Sequence, residues 1–219
     1  MIRLAKAFLP VLVILVLLSP ALAAAQLRVE YFGRDSILDT VLSDSVFVAE
    51  GRIGDLGGAA TFELDLGASP AAPATTAQLA WGSGVAYPFS LHFDIFSGMA
   101  TFTAGGHTLS YVSEYAVFDA LFIRTRAVYA GSFMGVYNLV LDGIAVPGAS
   151  AVNGPDGLKI LQIYGAPLQD GFTLTGTVKM SWDGAAPLNS TLAFQIFAAN
   201  MLVVGNEDQS WGQVKNLFR

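Results

Sequence analysis

The chain has 219 residues, 11 Lys plus Arg against 17 Asp plus Glu, and no cysteine. The acidic balance withholds the positive footprint that nucleic acid and anionic membrane surfaces require. The missing thiols exclude disulfides, thiolate metal sites and cysteine chemistry together.

The chain opens with Arg3 and Lys6, an apolar run from Phe8 to Leu18, and then Ser19-Pro20-Ala21-Leu22-Ala23. A basic start, a short apolar core and a small-residue exit form the pattern of a secretory signal peptide. The core is shorter than the roughly 20 residues of a membrane-spanning helix. The expected organisation is a leader over 1–23, one domain over 24–205 and a polar tail over 206–219, with no transmembrane segment in the mature chain. The exported part then holds nine basic against 17 acidic side chains, and it is long enough to build a core without disulfides. An exported chain without cysteine fits a bacterial source. Low charge (13%), 23 Gly and 15 Phe suit strands and turns and disfavour disorder.

Ser36–Ser43 (SILDTVLS) reads as one short helix at most, with Ile37, Leu38, Val41 and Leu42 on one side and Ser36 as cap, or as strand and turn. From Phe62 the period is two: Phe62, Leu64 and Leu66 alternate with Glu63 and Asp65. Gly67–Thr76 (GASPAAPATT) reads as a loop, because Pro70 and Pro73 cannot donate to a central ladder. Phe89–Ala104 is the clearest hairpin, with Phe89, Leu91, Phe93 and Ile95 on one face and Ser97-Gly98 at the turn. Further strands are predicted over His107–Val112, Leu121–Tyr129, Asn138–Leu141, Leu158–Tyr164, Phe172–Trp182 and Leu192–Phe197. Asp142-Gly143, Asn153–Gly157 and Asp183-Gly184 punctuate them. The run Leu192–Val204 is apolar but too short to span a membrane. Many short strands and almost no helix predict an all-β fold: two packed antiparallel sheets, a β-sandwich of jelly-roll type. No internal repeat is present.

The order of motifs carries a resemblance. Phe89-Ser-Leu-His-Phe-Asp with its Gly turn is followed by Phe118-Asp-Ala-Leu-Phe-Ile-Arg-Thr-Arg-Ala and Asn138-Leu-Val-Leu-Asp-Gly. Phe172-Thr-Leu-Thr-Gly-Thr-Val-Lys-Met-Ser-Trp and Leu192-Ala-Phe-Gln-Ile complete the series. This resembles the bacterial exported choice-of-anchor domains, many of which carry a PEP-CTERM sorting tail, and it covers roughly Ala59 to Phe197. The resemblance implies a β-sandwich at or beyond the cell surface and supplies no catalytic residue. After Val204 there is no Pro-Glu-Pro, second hydrophobic span or basic cluster. The expectation is release, or retention by a partner.

Candidate sites are few. His92 and Asp94 share a strand face and, with Ser110, can be drawn as a hydrolase triad, but no Gly-x-Ser-x-Gly elbow is present and solvated strand residues are the favoured reading. His92, His107 and Asp94 are too few for a zinc site. Asp142, Asn153 and Asp156 offer hard oxygens for calcium beside Gly-rich turns, although the same residues are ordinary turn chemistry. Arg124 and Arg126 project to one side and suit a carboxylate or sulfate on a polysaccharide; pairing with neighbouring Asp or Glu competes. Trp81, Tyr87, Tyr111, Tyr115 and Trp211 include candidates for a sugar-stacking surface, against the competing reading of core packing. Thr173, Thr175 and Thr177 form a hydroxyl row that an exposed sheet face explains. Asn189-Ser190-Thr191 matches a glycosylation acceptor.

The function expected is therefore a secreted, non-catalytic protein with a structural or adhesive role at the cell surface or in the matrix. Its partners would be surface polysaccharide or another surface protein, and not nucleic acid. The alternative is a carbohydrate-binding module on Trp81, Tyr87, Tyr111, Arg124 and Arg126, assisted by calcium on Asp142, Asn153 and Asp156. An extracellular hydrolase is the third.

Overall fold

The structure is a computed structural model and describes residues 27–33, 35, 45–54, 62–113, 118–165 and 168–200. In chain order its strands are β1 (Arg28–Phe32), β2 (Phe47–Ile53), β3 (Phe62–Ser69), β4 (Ala72–Gln78) and β5 (Ala86–Asp94). There follow β6 (Met99–Ala104), β7 (His107–Val112), β8 (Ala120–Ala127), β9 (Ser132–Leu141) and β10 (Ile144–Ala145). The last four are β11 (Ser150–Asn153), β12 (Gly157–Tyr164), β13 (Phe172–Trp182) and β14 (Leu192–Ala199). One 3-10 turn, Leu168–Asp170, is the sole helical element among the described residues. The helix expected over Ser36–Ser43, the leader, and the tail with Trp211 lie outside them, as does Tyr115. No helix of the described residues is long and apolar enough to cross a membrane.

Two antiparallel sheets of seven strands face each other, as the two-sheet sandwich reading expects. One runs β1-β12-β8-β14-β2-β3-β4. The other runs β10-β9-β13-β5-β6-β7, with β11 also paired to β9. The flanks are tied across the sheets. The Thr75 hydroxyl of β4 donates to the Ser110 carbonyl of β7 at 3.3 Å. On the other flank the buried Ser150 of β11 shares a 2.9 Å hydrogen bond with Thr125 of β8 and donates to the Lys159 carbonyl of β12.

The period-two pattern explains the core. On β13 the residues Phe172, Leu174, Val178 and Met180 are all buried. Gly176 occupies the same face, where a Cβ would press on Phe89 and Leu139. At one end of the sandwich Phe47, Phe93, Phe118 and Phe172 pack ring on ring, with centroids from 5.2 to 6.4 Å apart. Aromatic pairs in this range are worth roughly 0.5–1.5 kcal/mol each beyond their buried area, so this end is a stiff base for whatever stands on it.

The middle of the sheet containing β14, that strand above all, is buried on both faces. Val48, Ala120, Phe122, Ile160, Phe197 and Ala199 form a second apolar cluster, separate from the main core. That accounts for the unbroken apolar run of β14, since a strand buried on both sides does not alternate. The predicted loop Gly67–Thr76 is a correction: β4 begins at Ala72, and Pro73 lies within it, paired with Gly67. β4 ends its sheet, and an edge strand tolerates a residue without an N–H. Register shifts on either side of Gly67 absorb the irregularity.

Candidate functional site

The sequence reading placed His92 and Asp94 on one strand and Asp142 in a distant turn. The fold brings all three to one cleft of about 290 Å³ at the Phe-rich end of the sandwich, with Asp170, Phe96 and Thr173. Phe93 and Phe172, locked in the aromatic cluster, contribute to its lining.

Each polar group there has a local reason for its position. β5 ends at Asp94, and the Asp94 Oδ1 accepts the backbone N–H of Phe96 at 2.8 Å and of Ser97 at 3.1 Å. This closes the turn between β5 and β6 in the way Asp side chains favour. The Ser97 N–H is the main cause of the Asp94 carboxyl lying below its usual range; the Phe96 N–H and the nearby His92 charge act in the same direction. Asp142 stands at a φ of 49° beside Gly143 at 81°, the pair of left-handed residues a tight hairpin turn requires. Its Oδ1 accepts the Thr173 N–H at 2.7 Å, and its own N–H donates to the Thr173 carbonyl at 3.0 Å. His92 Nδ1 shares a 3.0 Å hydrogen bond with the Thr173 hydroxyl across the β5–β13 ladder.

The turn carries Phe96, which is 100% exposed. A wholly exposed phenylalanine on a turn pinned by two side-chain hydrogen bonds is the most unusual surface feature of the described residues. Met99 (36%) and Val112 (61%), opposite each other on β6 and β7, extend the apolar surface from the same hairpin.

As chemistry, the cleft offers a histidine and a hydroxyl in contact, but among the described residues no carboxylate is bonded to the other ring nitrogen to orient it, as triad logic requires. Ser110 is displaced from His92 by two strands, with Thr101 between them in register, a gap of roughly 9–10 Å. His107 pairs with Ala104 and projects from the opposite face to His92, so the two imidazoles do not converge on one ion.

The calcium candidates are divided between the two ends. Asn153 pairs with Phe133 at the start of β9, whereas Asp142 follows its last residue, a separation on the order of 30 Å of strand. Among the described residues no group of three or more His, Asp or Glu is disposed to hold a metal. Asp156, at a φ of 53°, lines a smaller cleft with Asp35 and Arg126.

Arg124 is taken up by the protein itself. Its Nε and one terminal nitrogen bind the two carboxylate oxygens of Asp35 at 2.8 and 2.9 Å, and the other reaches Gln195 at 3.2 Å. The guanidinium hydrogen bond is the main reason the Asp35 carboxyl lies below its usual range. The same face continues as a cross-strand row, Arg124–Gln195–Glu50–Asp65, in register over β8, β14, β2 and β3. Arg52 pairs with Glu63 and, at 3.0 Å, with Asp65. Glu50 is only 3% exposed, and burial is the main cause of its carboxyl rising to about 7 against the pull of Arg52.

The aromatic candidates do not form one platform. Trp81 is 3% exposed and meets Tyr87 and Phe194 edge-on, at 5.1 and 6.1 Å. Tyr87 donates to the Ala80 carbonyl and accepts the Gly82 N–H, and Tyr111 packs against the main core. In the threonine row Thr173 bonds His92, and on the same face Thr103 bonds Thr108.

Phe96 and a second aromatic pair, Tyr129 and Trp182, escaped the sequence reading. Each stands at the end of a strand or in a turn, and an apolar ring where turn chemistry favours Gly, Asn or Asp was the available signal. No family model matches the chain, and no curated protein does.

Proposed function

We propose that this is an exported, non-catalytic β-sandwich protein that acts in adhesion at the cell surface or in the extracellular matrix, with the β5–β6 tip as its contact. Phe96 carries the reading. It is fully exposed on a rigid turn, and burying such a ring recovers about 1.5–3 kcal/mol. Asp94, Asp142 and Asp170 surround the adjacent cleft, so the partner surface that fits is an apolar socket rimmed by basic side chains. The leader pattern over 1–23 and the resemblance to choice-of-anchor domains support a place outside the cytoplasm. The reading requires no chemistry of the His92–Thr173 pair.

The test is retention of the purified protein on isolated cell envelopes of its source, wild type against Phe96→Ser. The variant is expected to bind roughly tenfold more weakly or worse, as loss of a buried aromatic anchor does. Added salt is expected to weaken the wild type. Equal retention of the two proteins sinks the reading.

A further inference from the structure

The opposite end of β13 carries a different site. Ten residues from the acidic cleft, Trp182 and Tyr129 line a second cleft of about 340 Å³ with Ser132, Asp183, Leu188 and Asn189. That volume lies near the lower limit of small-molecule pockets, about 300–1,000 Å³, and suits a short segment of ligand.

Two observations set this cleft apart from a chance hollow between loops. The first is its surface chemistry. Tyr129 is 53% and Leu188 46% exposed, so apolar surface is left in water beside a carboxylate, an amide and a hydroxyl. An apolar wall with a few convergent polar groups is the usual composition of a ligand site.

The second is rigidity. The Ser83 hydroxyl accepts the Trp182 N–H and donates to the Trp182 carbonyl, both at 2.9 Å. Asp183 N–H donates to the Gly131 carbonyl at 3.1 Å, and the Ser132 hydroxyl donates to the Tyr129 carbonyl at 2.6 Å. Asn189 and Ser190 both occupy the left-handed region, at φ of 57° and 55°. That conformation costs a non-glycine residue about 1–2 kcal/mol. It is held because Ser190 binds the Ile53 and Gly54 carbonyls through its N–H and Gly54 again through its hydroxyl. Strained residues held by surrounding bonds are characteristic of ligand clamps.

We infer that this cleft binds a short segment of neutral glycan. The apolar face of a sugar ring packs on Tyr129 and Trp182. The sugar hydroxyls, each donor and acceptor at once, meet the acceptor-only carboxylate of Asp183 and the mixed amide of Asn189. One carboxylate and no cation among the lining residues favour a neutral ligand over a charged one. The inference is independent of the Phe96 reading, since the two clefts stand at opposite ends of β13.

The test uses the full exported chain and a panel of neutral hexaoses (gluco-, xylo-, manno- and chito-oligosaccharides), read by tryptophan fluorescence and calorimetry. Two variants spare the fold. Tyr129→Ala truncates an exposed ring, and Asn189→Gly removes the amide where glycine accepts the backbone angle without strain. Saturable binding of at least one hexaose is expected, weakened roughly tenfold by Tyr129→Ala and less by Asn189→Gly, with the thermal midpoint unchanged in Tyr129→Ala and no lower in Asn189→Gly. No saturable binding by the wild type overturns the inference. So does binding that survives both substitutions, or binding of a proline-rich peptide at Tyr129 in place of every sugar.

Discussion

Glu50→Gln should make the protein more stable at alkaline pH and change little in acid. In the folded chain the Glu50 carboxyl titrates near 7, against 4.5 for the exposed group, because ionising it leaves a charge in a site that is 3% open to water. Its raised pKa gives the folded state an advantage that is complete below pH 4.5 and is lost as pH rises through 7. A difference of 2.5 between those values corresponds, at 1.36 kcal/mol each, to about 3 kcal/mol. Glutamine keeps the shape and the hydrogen bonding beside Gln195 without ever ionising. Urea unfolding at pH 5 and pH 8, followed by tryptophan fluorescence, isolates the effect, because every other titrating group is common to both proteins. The variant should gain about 3 kcal/mol relative to wild type at pH 8, or roughly 6–12 °C in thermal midpoint for a domain of this size. Near pH 5, just above the unfolded value of 4.5, the difference should shrink to roughly 1 kcal/mol. If the variant is no more stable at pH 8, then Arg52 compensates an ionised Glu50 fully and the burial argument fails.

Other consequences follow from single contacts. Gly51→Ala would drive a methyl group into the rings of Phe194 and Trp81, and a cost of about 1–3 kcal/mol is expected in chemical denaturation. Asp142→Ala removes the acceptor of the Thr173 N–H and the short polar side chain that eases a φ of 49°, while the backbone bond to the Thr173 carbonyl remains. Its cost should be about 1–2 kcal/mol, with Asp142→Asn restoring most of it. Asp94→Ala should leave global stability nearly unchanged while the Phe96 and Ser97 amides lose protection from hydrogen exchange. In the wild type that protection should persist as pH falls past 3.8 and disappear only below it, because the Asp94 carboxyl is held low by the Ser97 N–H.

The sandwich was legible in the chain where its strands bury one face. Phe172–Trp182 alternates over its whole length and the observed β13 has the same bounds. The hairpin at Phe89–Ala104 is equally regular. Strands that depart from the pattern were harder to see. In β2, Gly51 replaces an inward side chain where the Phe194 and Trp81 rings leave no room, and the inner face reads as broken. β4 contains Pro73 and small residues because it is an edge. The site was legible only in fragments. His92, Asp94 and Asp142 each had a reason of their own, and their convergence depends on β13 lying between β5 and β9, which no local spacing reveals. Trp81 and Arg124 illustrate the converse. An aromatic ring and a guanidinium look alike in sequence whether they await a ligand or are already satisfied, here by Phe194 and Asp35.

The most direct test of the adhesive tip is photo-crosslinking from position 96. A photoreactive side chain replaces Phe96 in one sample and Val85, which is 46% exposed and precedes the opposite end of β5, in another. Both are applied to isolated envelopes of the source cells. The account predicts strong crosslinking from position 96, suppressed by excess wild-type protein and not by Phe96→Ser, with little from position 85. Equal crosslinking from both positions, or competition by Phe96→Ser as effective as that by wild type, would contradict it.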